Sequence, residues 1–185
     1  MKKYIFFLLL LLASNHSGQA QFYKSLLTSS EFSDSLSKIV MDYKSNFNKI
    51  QGNEMTTQPE MNVFQSITTL PGAVHCSIYR YHSLKDTSAS WQAIFYDGES
   101  YEAAFKIYKE TFNQLKRSKM KSEDKSVVTF IGNFGKPKES VRFTSTLLKL
   151  NSEDRIYRNF FAQLELTSTY DGWEVQLNLV DKIMN

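Results

Sequence analysis

Cys76 is the only cysteine in this 185-residue chain, and two of its three histidines, His75 and His82, lie close to it. A cysteine nucleophile needs a base within hydrogen-bond reach to strip its proton. The surrounding residues decide whether that pairing forms. In AVHCSIYRYH, residues 73–82, Val74, Cys76 and Ile78 alternate with His75, Ser77 and Tyr79, which is the period of a half-buried strand. Successive strand side chains leave opposite faces, so His75 points away from Cys76. His82 shares the thiol's face but sits six residues on, roughly 20 Å at ~3.3 Å per residue. A Cys–His nucleophile is therefore not expected, and Cys76 reads as a small buried apolar residue.

Metal chemistry has little to work with. Zinc needs three or four Cys, His or carboxylate ligands, and the histidines here diverge. The acidic pairs Glu123-Asp124 and Glu153-Asp154 stand isolated at turns, unlike the alternating acids of a calcium loop. No metal and no cofactor is expected. Gly132 to Lys136 lacks the spacing that wraps a phosphate, and no G-x-S-x-G elbow occurs. Two carboxylates, Glu165 and Glu174, can approach across a final hairpin turning at Asp171-Gly172. Two acids on the exposed face of a sheet can also simply be solvated, and catalysis is not expected of this pair.

The elements that must position these groups follow from periodicity. Residues 1–20 read as a secretory signal: basic Lys2 and Lys3, an apolar run from Tyr4 to Ala13, then Gly18 and Ala20 as small residues before a cut. That run is half of the roughly 20 residues a membrane span needs. The mature chain, 21–185, is expected to be one exported domain, periplasmic or secreted, without a membrane span. Its charge is nearly balanced: removing Lys2 and Lys3 from 22 basic residues leaves 20 against 19 acidic ones. This argues against nucleic acid as the partner.

Phe32, Leu36, Ile39, Val40, Tyr43, Phe47 and Ile50 form a helical stripe that runs to Gly52. Gly52 to Glu60 reads as a polar loop. Strands are expected near 62–69, 74–82 and 91–96, the first pair joined by a turn at Leu70-Pro71-Gly72-Ala73. A second helix, capped by Ser100, carries Tyr101, Ala104, Phe105, Tyr108, Phe112 and Leu115 on its stripe. A loop follows at 120–125. Strands over 127–134, 141–150, 157–169 and 173–179 then complete an antiparallel meander. The expected fold is α+β: a single antiparallel sheet of about five to seven strands, with two amphipathic helices on one face. A ferredoxin-like arrangement is the alternative.

If 74–82 pairs with 91–96, Val74, Cys76 and Ile78 share the core face with Trp91, Ala93 and Phe95. The uncovered face then carries Tyr79, Tyr81 and Tyr96, three of the chain's ten tyrosines. Tyrosine combines large contact area with a polar tip and is frequent at interfaces. These three are the candidate binding residues. The expected function is an exported, noncatalytic binding or adaptor protein. Its partner, a protein, a peptide or an apolar ligand, would sit on this face or in a sheet–helix groove. The alternatives are a hydrolase assembled from dispersed carboxylates or His75, and a structural subunit of an envelope assembly.

Overall fold

A computed structural model describes residues 29–83, 87–122 and 125–181. The proposed signal and the Glu123-Asp124 pair lie outside the described residues. Helix α1 spans Ser29–Asp42, with a 3-10 turn at Tyr43–Ser45. Strands β1 (Gln51–Gln58), β2 (Met61–Ser66), β3 (His75–Tyr81) and β4 (Ala89–Gly98) follow. Helix α2 spans Tyr101–Arg117. Then come β5 (Met120–Lys121), β6 (Val127–Ile131), β7 (Phe143–Asn151), a 3-10 turn at Arg155–Tyr157, β8 (Phe161–Ser168) and β9 (Trp173–Val180).

Among the described residues all nine strands form one antiparallel sheet in the order β1-β2-β3-β4-β9-β8-β7-β6-β5. Two meanders therefore meet in the middle, where β9 returns beside β4. The expectation of five to seven strands is corrected to nine, which also displaces the ferredoxin-like alternative. The two strands without a sequence signal are edges. β1 reads QGNEMTTQ and is exposed along most of its length, so no buried face imposes alternation on it. β5 is two residues long and falls in the expected loop at 120–125.

The first helix is shorter than its stripe. Asp42 ends it by turning its own carboxylate onto the backbone N–H groups of Lys49 and Ile50, at 3.0 and 3.2 Å. Asn46 and Phe47 adopt left-handed φ of 59° and 58°, which reverses the chain. Asn tolerates that region and Phe does not, but the Phe47 side chain is fully buried and holds the turn. Phe47 and Ile50 thus reach the core by a reversal, not by further helical turns.

Helix α2 begins where Ser100 accepts a hydrogen bond from the Ala103 N–H at 3.2 Å. It buries Ala104, Tyr108, Thr111, Phe112 and Leu115. With Phe32, Leu36, Ile39 and Val40 of α1 it packs on one sheet face, against Cys76, Ile78, Trp91, Ala93, Leu148, Ala162, Leu164, Leu166, Val175, Leu177 and Leu179. Trp91 donates its indole N–H to Ser66 Oγ at 2.9 Å, which satisfies the polar atom of a fully buried ring.

The β3–β4 register places Cys76 opposite Ala93 and Ile78 opposite Trp91. Val74 departs from this pattern. It precedes the strand and is 75% exposed. The turn before β3 closes through Ala73 N–H to Leu70 O, with Gly72 at φ 88°. The last hairpin joins Ser168 to Trp173. Gly172 sits there at φ 152° and so close to β4 that a Cβ would lie 2.3 Å from Gly98 O.

Candidate functional site

The thiol and the imidazoles separate. Cys76 is 3% exposed within the core, and burial pushes its pKa up to about 11 against a backbone hydrogen bond that lowers it. His75 lies on the other face, its Nε2 2.7 Å from Ser77 Oγ. His82 lies just beyond β3, its Nε2 2.9 Å from Asn62 Oδ1. Among the described residues no three His, Cys, Asp or Glu side chains cluster as metal ligands would.

The three candidate tyrosines also part company. Tyr79 and Tyr81 point to the uncovered face, opposite Ser90 and Met61 respectively. Tyr79 donates its phenol O–H to Gln92 Oε1 at 2.7 Å. Burial raises its pKa, helped by Tyr81 and Glu174 nearby. Tyr96 does not join them. The bulge between Ile94 and Tyr96 sets Tyr96 opposite Val175, whose side chain belongs to the core. A bulge holds two residues against one and breaks the alternation, so Tyr96 turns to the helix side. There its phenol oxygen accepts the Ser100 N–H at 3.1 Å.

What the uncovered face does hold is a row of polar side chains. Gln65, Ser77, Gln92, Asn178 and Gln163 follow one another across five adjacent strands, and Leu147 of β7 ends the row. Gln92 Nε2 donates to Asn178 Oδ1 at 3.1 Å, and so does Gln176 Nε2 at 2.8 Å. Asn178 Nδ2 donates to Glu165 Oε2 at 3.3 Å, and Gln163 Nε2 to Glu165 Oε1 at 2.7 Å. The chain of bonds thus runs from Tyr79 on β3 to Glu165 on β8. Ser77, Asn178 and Gln163 are 2%, 8% and 4% exposed. Gln163 Oε1 is buried and has no protein hydrogen-bond partner. An unmet buried acceptor costs about 1–3 kcal/mol, so this atom marks where a donor is wanted.

The expected carboxylate pair does share this face. Glu165 stands opposite Gln176, and Glu174 opposite Thr167 on β8 and Asp97 on β4. Burial raises the pKa of Glu165; the bonds from Gln163 and Asn178 lower it and Glu174 raises it again. Glu174 is raised by burial first and by Asp97 second. Both Glu165 oxygens are already accepting amide hydrogens, an arrangement that holds an anion in place. Side-chain amides neither attack nor titrate; the titratable groups bonded to this row are Tyr79 and Glu165.

Gln163, Gln176 and Asn178 carry no distinguishing sequence signal. They fill outward positions of β8 and β9, where a solvated polar residue looks the same. A concavity lies at the turn between β7 and β8. It is an open depression of about 660 Å³ lined by Lys149, Leu150, Ser152, Glu153, Asp154, Arg155 and Arg158. Its Asp154 is engaged by Lys44 at 3.0 Å and by the Ile156 N–H. No family model, no curated protein and no solved structure matches this chain.

Proposed function

We propose that this is an exported, noncatalytic binding protein whose partner sits on the sheet face away from the helices. The observation that carries this reading is the buried polar row ending at the unpartnered oxygen of Gln163. A sheet face that serves only solubility has no use for amides held below 10% exposure in a bonded chain. The packed sheet–helix layer, where Leu36, Ile39, Trp91 and Leu177 are fully buried, favours the open face over a groove beneath the helices. Tyr79 and Tyr81 flank the row and supply contact area. Export rests on the basic, apolar and small-residue order of residues 1–20.

The test compares proteins that co-purify with the exported wild-type chain and with the Tyr79→Ser/Tyr81→Ser double variant. Tyr170→Ser serves as the control, because Tyr170 is fully exposed beyond the end of β8. The double variant should lose a partner while its thermal melt stays cooperative, and the control should keep it. An unchanged partner list in the double variant refutes the reading.

A further inference from the structure

Resting on that reading, we infer that the face recognises a lysine side chain of a protein partner, its ammonium held between Gln163 Oε1 and the Glu165 carboxylate. The argument begins with charge. Glu165, Glu174 and Asp97 lie on one sheet face, Asp97 directly opposite Glu174, and Glu165 one diagonal step from Glu174. Two basic side chains of this face stand apart from the acids. His75 is three strands from Glu165 in the same row, about 14 Å at the ~4.8 Å strand spacing. Lys149, diagonal to Gln163 across β7 and β8, is exposed and lines the turn depression. The acids therefore call for a cation from outside.

Hydrogen-bond chemistry narrows the class. Gln163 donates its N–H to a carboxylate oxygen at 2.7 Å, and a carboxylate can only accept while ionised, which fixes the amide's orientation. The atom left over is an acceptor, sealed from solvent by its neighbours, so a partner reaches it only when they part. The missing group must therefore donate, and beside an anion a charged donor binds best. Arginine fits poorly. Its flat fork grips a carboxylate through both oxygens in one plane, and Gln163 and Asn178 already occupy Glu165 Oε1 and Oε2. An ammonium is compact and carries three donors, enough for Gln163 Oε1, a remaining lone pair on Glu165 and one further acceptor. Tyr79 and Tyr81 beside the row suit the chain that carries the lysine.

The test titrates the exported wild-type chain with the tripeptide Ac-Ala-Lys-Ala-NH2, its Nε-acetylated form, its arginine counterpart and n-butylammonium. The side-chain amide resonances of Gln163 and Asn178 are followed by NMR. Saturable shifts with the lysine peptide are expected, with the acetylated and arginine forms about tenfold weaker or more, the loss of one charged hydrogen bond. Glu165→Gln should weaken the lysine peptide by a similar factor; the wild-type comparison between peptides stands even if that variant folds poorly. Equal response to lysine and acetyl-lysine overturns the inference. So does a Gln163 amide that exchanges with an ordered water and ignores every peptide. Binding of n-butylammonium as tight as the peptide overturns the protein source. If Glu165→Gln keeps a partner that Tyr79→Ser/Tyr81→Ser loses, and the lysine peptide is inert, the ammonium inference falls and the binding face survives.

Discussion

Alkylation of Cys76 tests whether this face of β3 can support thiol chemistry at all. The perturbation is iodoacetamide at about pH 8, applied to the native chain and to the chain in urea. The reactive species is the thiolate. A thiol at the ordinary value of 9.0 is about 10% ionised at that pH, whereas one pushed up to about 11 is about 0.1% ionised. The difference alone slows reaction ~100-fold, and 3% exposure leaves little approach for the reagent. The native thiol should therefore modify at least about a hundredfold more slowly than the unfolded one, as followed by intact mass. His75→Ala should leave the native rate unchanged, because that imidazole is on the other face, against Ser77. A native rate within about threefold of the unfolded rate would refute the reasoning. So would a marked slowing by His75→Ala, since either result requires an accessible, assisted thiolate.

Glu165→Gln probes the cost of the half-buried carboxylate. Below the ordinary value of 4.5, wild type and variant should be equally stable, because Glu165 is then protonated in both folded and unfolded chains. As pH rises through its raised folded value, the native state keeps a charge it disfavours. Wild type should then lose stability relative to the variant and level off above that value. Urea midpoints of both proteins across this range measure the difference; a flat difference rejects the claim. Gly172→Ala should destabilise by about 2 kcal/mol or more, since the backbone must leave a φ that alanine avoids and β4 must move away. A change below about 0.5 kcal/mol in urea unfolding would contradict that crowding. Leu177→Ala, fully buried where the two meanders meet, should cost about 2–5 kcal/mol by the same measurement. A smaller loss would mean that the β4–β9 seam is loosely packed.

The order of helices and the pairing of β3 with β4 are legible in the sequence because burial writes them there. Cys76 and Ile78 alternate with His75 and Ser77 because one sheet face meets the helices and the other does not. The α2 stripe and its Ser100 cap arise the same way, as does the glycine at the last hairpin. Where burial is weak the signal vanishes. β1 is an exposed edge that alternates in nothing, so it reads as a loop and the strand count falls short.

The tertiary structure decided what no residue type announces. The reversal at Asn46 and Phe47 needs the Asp42 carboxylate to meet backbone groups seven and eight positions on. The bulge at Phe95 depends on the register against β9, and it alone sends Tyr96 to the helix side while Tyr79 and Tyr81 stay out. The row from Tyr79 through Gln92, Asn178 and Glu165 joins residues 13 to 86 positions apart. Local patterning assigns each of them a face. Their assembly into one bonded network, with Gln163 left seeking a donor, exists only once β9 folds back between β4 and β8.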